Sequence, residues 1–135
     1  MSAPAARFEW PIRVYWEDTD AGGVVYHGSY LRFLERGRSE WLRALGLDQS
    51  RLKDERGLVF VVSAVSLSFR RPARLDDELL VGCSLSSRLG ASLRFAQTIT
   101  RGPDAELVLE ADVQVACVSA SLFRPRPIPK DLLPF

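Results

Sequence analysis

Histidine and cysteine are scarce in this 135-residue chain: His27 stands alone, and the only cysteines are Cys83 and Cys117. A single histidine excludes any site that draws two imidazoles from one chain. Two cysteines are too few for a disulfide scaffold, and no CxxC or Cys/His cluster suggests structural zinc. Long apolar runs are also missing. Nowhere do 18 consecutive apolar residues occur, which excludes a transmembrane helix and any insertion into a membrane by that route. Charge of one sign is lacking as well, with 18 Lys plus Arg against 17 Asp plus Glu and a net charge of +1. That balance gives no global electrostatic case for nucleic acid or an anionic membrane as partner. The N-terminal run MSAPAARFEWP lacks an apolar stretch of signal-peptide length and meets Glu9 early, so no targeting segment is expected. A cytoplasmic location is the default expectation, and two unpaired thiols fit it.

What is present describes one domain, residues 1–135, with enough chain to bury a sizeable core. Hydrophobic content of 47% and charged content of 26% are ordinary for a globular protein. Neither internal repeats nor low-complexity linkers interrupt it. Phe8, Trp10, Ile12, Val14 and Trp16 alternate with polar neighbours, which predicts a first strand, and Pro11 makes it an edge near its beginning. Residues 29–45 change to helical rhythm. Tyr30, Phe33, Leu34, Gly37, Trp41, Ala44 and Leu45 form the apolar stripe, and Arg32, Glu35, Arg36, Arg38, Glu40 and Arg43 fill the other side. Gly46 is placed to close that helix in the left-handed conformation. Gly37 on the stripe is either a close approach of helix to sheet or a tolerated glycine.

From residue 58 onward period-2 segments follow one another. Val61, Val65, Leu67 and Phe69 form one, and Leu79, Val81, Cys83 and Leu85 the next; Leu93, Phe95 and Ile99 follow, then Leu107 to Cys117. Short breaks at Pro72, Gly90 and Gly102-Pro103 suit hairpin-like turns. The expected fold class is therefore α+β: a curved antiparallel sheet of about five strands around one long central helix. Both cysteines fall on the inward parity, where they read as small buried hydrophobes.

The chemistry is concentrated between the first strand and the helix, in Glu17-Asp18-Thr19-Asp20-Ala21-Gly22-Gly23-Val24-Val25-Tyr26-His27-Gly28-Ser29-Tyr30. A helix N-terminus offers unpaired amides to a carbonyl oxygen gaining negative charge, and an upstream carboxylate can act on the same substrate. That pairing suits acyl hydrolysis. Other readings of the segment are weaker. A calcium loop would need its glycine one position later and Glu where Ser29 stands. A P-loop would need a lysine, and a serine triad lacks GxSxG. Metal binding by Asp18, Asp20 and His27 is conceivable from the residue types but is not the preferred reading, and no metal or cofactor is expected. Asp18 reads as a loop-tightening residue. Tyr30 and Phe33 read as core, and Tyr26 is the better candidate for substrate contact.

The run RVYWEDTDAGGVVYHGSYLRFLERGRSEW, from Arg13 to Trp41, resembles the acyl-CoA thioesterases of the hotdog fold, the YbgC and 4-hydroxybenzoyl-CoA thioesterase family. The similarity continues at Phe60-Val61-Val62, at Pro72-Ala73-Arg74-Leu75-Asp76-Asp77 and at Pro127-Ile128-Pro129-Lys130. The resemblance implies hydrolysis of an acyl-CoA, or of an acyl-carrier-protein thioester, with Asp20 as catalytic carboxylate and His27 beside the polarising amide. It places Gly22, Gly23, Tyr26 and Gly28 at the substrate. It also implies CoA phosphate contacts from Arg124, Arg126 and Lys130, and homodimers that assemble into homotetramers with sites at the dimer interface. Two alternatives stand beside it: a noncatalytic acyl-CoA or acyl-carrier-protein binding module, and a hotdog enoyl-CoA hydratase.

Overall fold

The computed structural model describes residues 7–134; residues 1–6, on which part of the N-terminal reading rests, and Phe135 lie outside the described residues. Five strands form one antiparallel sheet: β1 (Arg7–Arg13), β2 (Leu58–Phe69), β3 (Glu78–Leu89), β4 (Ser92–Arg101) and β5 (Glu106–Ser119). Their spatial order is β1-β3-β4-β5-β2, so β1 and β2 are the edges. The curved sheet wraps the long helix α1 (Ser29–Ala44), and a shorter α2 (Gln49–Arg56) follows it. This is the α+β arrangement expected from the alternation, and the hotdog arrangement that the family resemblance implies.

The alternating residues meet across the sheet. Val81 pairs with Trp10 on one side and Ile99 on the other, and Phe95 pairs with Val113, so the inward rows of four strands form one apolar surface. Against it α1 lays Tyr30, Phe33, Leu34 and Trp41, all buried, with Trp41 edge-on to Phe95. Gly37 settles its two readings in favour of close approach. A Cβ there would sit 2.6 Å from Val81 Cγ1 and 3.1 Å from Cys83 Sγ. Both thiols are buried, and desolvation pushes that of Cys83 up to about 11.

Gly46 ends α1 as expected, at φ +90. The amide of Leu47 donates to Leu42 O and that of Gly46 to Arg43 O, the paired bonds of a Schellman motif, with Leu47 buried behind them. Pro11 lies on an edge strand, where its missing N–H costs no ladder bond to a second neighbour.

Four details depart from the pattern. The first strand stops at Arg13, and Trp16–Asp18 instead form a single 3-10 turn that leaves Tyr15 and Trp16 exposed. Strand β2 carries a bulge between Val62 and Ala64 that inverts its parity. Val62 and Val65 therefore oppose the inward residues Val115 and Val113, and Val61 belongs to the other face. Helix α2 gives no apolar period because only Leu52 is buried; it rests on an Asp48 cap and on Gly57 in the left-handed region. Arg38, expected on the polar side of α1, is 8% exposed. Among the described residues no helix is long and apolar enough to cross a membrane.

Candidate active site

The segment between β1 and α1 is a compact loop held at both ends. The amide of Asp20 donates to Val24 O and that of Gly23 to Asp20 O, closing a tight turn that needs Gly23 at φ +80. Below the turn Thr19 and Val25 form an isolated bridge. The segment Pro72–Asp77 is the strap that fixes this loop. Val25 N donates to Ala73 O at 2.8 Å, while Asp76 N and Asp77 O bond to Val14 on the other side. The buried Tyr30 hydroxyl accepts from Ala73 N at 3.1 Å, so the strap is tied to α1 as well.

The two aspartates divide their tasks. Asp18 is buried: its Oδ2 accepts from Tyr15 N at 2.8 Å, and Oδ1 lies 3.6 Å from the Arg32 guanidinium. Its carbonyl accepts from Tyr26 N and from Ser29 Oγ, which fixes the approach to the helix. Asp18 is thus the loop-tightening residue that the sequence suggested. Asp20 is exposed, and its Oδ1 accepts from Gly22 N at 2.8 Å. That Asx-type bond orients the carboxylate, and Oδ2 takes no hydrogen bond among the described residues. A Cβ at Gly22 would come within 3.1 Å of Oδ1, so the glycine admits the carboxylate at this close range.

The other half of the site is the start of α1. Ser29 N is already engaged by Tyr26 O at 2.8 Å. The amides of His27 and Gly28 make no hydrogen bond within the described residues, so two donors stand ahead of the helix. His27 is exposed and its ring packs against that of Tyr26 at 4.4 Å. The Tyr26 ring also covers Gly28, where a Cβ would meet it at 2.8 Å. Asp20, Gly22, Gly23, Tyr26, His27 and Gly28 therefore share one exposed loop. Among the described residues no group of three or more His, Cys, Asp or Glu could hold a metal ion.

The basic residues are elsewhere. Past β5 the chain turns back, with Arg126 N donating to Cys117 O and Ile128 N to Gly90 O. Asp131 then pairs with Arg56 at the end of α2. Arg124, Arg126 and Lys130 are exposed on this tail. It docks beside the C-terminal end of α1, whose 16 residues span about 24 Å. One protomer thus does not bring these cations to Asp20.

Reading the sequence missed a groove beside α1. Between α1 and the edge strand β2 lies a largely apolar cleft of about 360 Å3, walled by Leu31, Leu34, Val62, Val65 and Val113, with Arg32, Glu35 and Arg38 also in its lining. Gln97, on the inward parity of β4, was the available signal, because a buried amide demands partners. It donates to Leu34 O at 3.0 Å and to Cys83 Sγ, and accepts from Arg38 at 3.0 Å.

A family model described as the thioesterase-like superfamily matches residues 14–135. The acyl-CoA thioester hydrolase YbgC of Escherichia coli is 46% identical over 126 residues, covering 93% of this chain and 92% of that protein. The acyl-CoA thioesterase YbgC of Haemophilus influenzae is 43% identical over 125 residues, covering 93% and 90%. Among solved structures, a probable thioesterase from Bartonella henselae is 38% identical, with a TM-score of 0.86 over 92% of this chain and all of that one. A 4-hydroxybenzoyl CoA thioesterase, solved as a mutant complexed with 4-hydroxybenzoyl CoA, shares the fold at 23% identity and a TM-score of 0.85, covering 93% and 95%.

Proposed function

This chain belongs to the thioesterase-like superfamily and is a thioester hydrolase of its acyl-CoA-cleaving branch, and from that premise we propose that Asp20 is its catalytic carboxylate. The observation that carries the proposal is the pairing of an oriented, exposed carboxylate with the two undonated amides of His27 and Gly28 on one loop. The thioester carbonyl oxygen accepts from those amides and gains charge as the carbonyl carbon is attacked. Asp20 supplies the attack, either through its own oxygen or by taking a proton from water. In the first case Asp20 Oδ forms the C–O bond as the C–S bond breaks, and water then opens the acyl–aspartyl anhydride, returning the carboxylate and releasing the acid. In the second, hydroxide from water forms the C–O bond and the proton held by Asp20 passes to the departing thiolate. Either route consumes one water and yields acid and CoA. His27 lends its backbone and, packed on Tyr26, walls the site. Gly22 and Gly23 let the loop backbone approach the substrate.

The exposed β2 edge, with Val62 and Val65 beside it, supports a homodimer joined along that strand, and pairs of dimers would form the homotetramer. A partner's tail would then bring Arg124, Arg126 and Lys130 toward the CoA phosphates, which suit guanidinium geometry. Residues 1–135 act in this assembly as one domain. An acyl-carrier-protein thioester presents the same bond and is the second donor to assay.

Release of thiol from an acyl-CoA panel, followed with a thiol-reactive chromophore, tests the reading. Free CoA at a rate proportional to protein is the expected result. Binding without release would instead show a binding module. Loss of enoyl absorbance with no thiol released would show a hydratase.

A further inference from the structure

The apolar groove beside α1 does not end where its lining first closes. A second cavity of about 110 Å3 continues between the same two elements, walled by Leu42, Phe60, Leu93, Phe95 and Val115. The two spaces share Glu35, Arg38 and Val62. Glu35 and Val62 are exposed at the rim, whereas Arg38 is 8% exposed and stands inside. A buried cation therefore stands between the groove and the second cavity. Its hydrogen bond to Gln97 Oε1 fixes it there, because Gln97 is itself held by Leu34 O of α1 and Cys83 Sγ of β3.

We propose that Arg38 is the specificity-determining residue for acyl length: its guanidinium is the floor of the acyl groove, and the chain of the substrate occupies only the space between it and the Asp20 loop. The inference rests on the thioesterase reading above. The occupant follows from continuity. Leu31 and Arg32 in the groove lining lie within one helical turn of the Gly28 amide, and Arg32 also faces Asp18 in the Asp20 loop. A thioester held at those amides would point its acyl group into leucine and valine side chains. Leu31 and Arg38 are seven positions apart on α1, a depth of about 10 Å at about 1.5 Å per residue. An extended alkyl chain advances about 1.25 Å per carbon, given C–C bonds of about 1.5 Å at near-tetrahedral angles, so about eight carbons reach the floor. A longer chain must place methylenes against a charged group that is already poorly solvated, which is unfavourable. The space beyond Arg38 has an apolar side of Leu42, Phe60, Leu93, Phe95 and Val115 beside Ser39 and Gln49, and it shares Arg38 with the groove, so removing the charge would join the two cavities.

The test is affinity for butyryl-, octanoyl- and lauroyl-CoA, measured by calorimetry on the Asp20→Asn protein, with CoA release from the same esters measured on the protein carrying Asp20. With Arg38 present, octanoyl-CoA should bind at least tenfold tighter than butyryl-CoA, and lauroyl-CoA no tighter than octanoyl-CoA. Arg38→Met should tighten lauroyl-CoA at least tenfold while octanoyl-CoA stays within about twofold. A merely structural arginine would move all three esters together. Because Arg38→Met strips Gln97 of its donor, a second arm is Val65→Trp in the near groove beside the proposed β2 seam, measured on protein that gel filtration shows to keep the assembly of the unsubstituted chain. It should erase the advantage of octanoyl over butyryl by filling the near groove. Unchanged length profiles in Val65→Trp, or lauroyl-CoA binding progressively tighter with Arg38 in place, overturn the proposal. A protein that shows this profile but releases no CoA overturns hydrolysis and leaves the groove standing. Hydrolysis at all lengths with flat affinities overturns the groove and leaves hydrolysis standing.

Discussion

At the scale of single residues, the loop separates holding from acting. Asp18 and Asp20 are two positions apart, yet one is buried with its oxygens committed and the other is exposed with one oxygen unbonded. That division is half legible in sequence: the carboxylate-glycine density marks the loop, and Asp18 reads as its brace. The Asx bond from Gly22, which aims Asp20, depends on backbone geometry that no spacing rule supplies. Gly37 was equally legible as an anomaly on an apolar stripe, but only the structure chooses close approach. Gly37→Ala should gain about 1 kcal/mol of helix propensity and lose more by forcing Val81 and Cys83 aside. A net loss of about 1–2 kcal/mol in urea unfolding is expected. The Cys83 thiol makes a pH prediction. Its folded value is raised from 9.0 to about 11, so the folded state holds the proton more tightly than the unfolded one. Its contribution to stability is full below pH 9 and is lost as pH rises toward about 11. Neither cysteine should react with a thiol reagent at neutral pH until the protein unfolds, which also keeps the background of the CoA-release assay low.

At the scale of elements, strong periodicity was readable and exceptions to it were not. Helix α1 carries a wide apolar stripe and a closing glycine, and both of its ends fall within a residue of expectation. Gly46→Ala would force an ordinary side chain into the left-handed region and should cost about 1 kcal/mol, read as a lower urea midpoint. Helix α2 escaped notice because one buried leucine among eight residues makes no pattern. The β2 bulge escaped for a different reason. Valines occur at 59, 61, 62 and 65, so either parity looks apolar, and only pairing with β5 decides which of them face α1. Arg38 and Gln97 form the third exception. Each looks like a polar residue at the margin of its pattern, and each is buried because the other is there.

At the scale of the whole molecule, the site residues lie at two ends. The Asp20 loop caps the N-terminal end of α1, and the basic tail docks near the opposite end. The near-neutral charge of the chain therefore leaves room for local phosphate recognition, which the proposed assembly would supply from a second copy. Arg124→Ala combined with Arg126→Ala should raise KM for CoA esters several-fold, with little effect on a short N-acetylcysteamine thioester that has no nucleotide. Equal effects on both substrates would remove phosphate recognition from the tail. Sequence resemblance could nominate those arginines, but their distance from Asp20 within one protomer is a property of the assembled sheet and helix.

The most direct test of the account is the rate of CoA release by Asp20→Asn against the unsubstituted protein, with circular dichroism confirming that both are folded. The substitution keeps the size of the side chain and an oxygen that can still accept from Gly22, so the loop should hold its shape. The account predicts at least a 100-fold fall in kcat, on the order of 3 kcal/mol in the barrier. An asparagine protein that turns over at close to the original rate would contradict it.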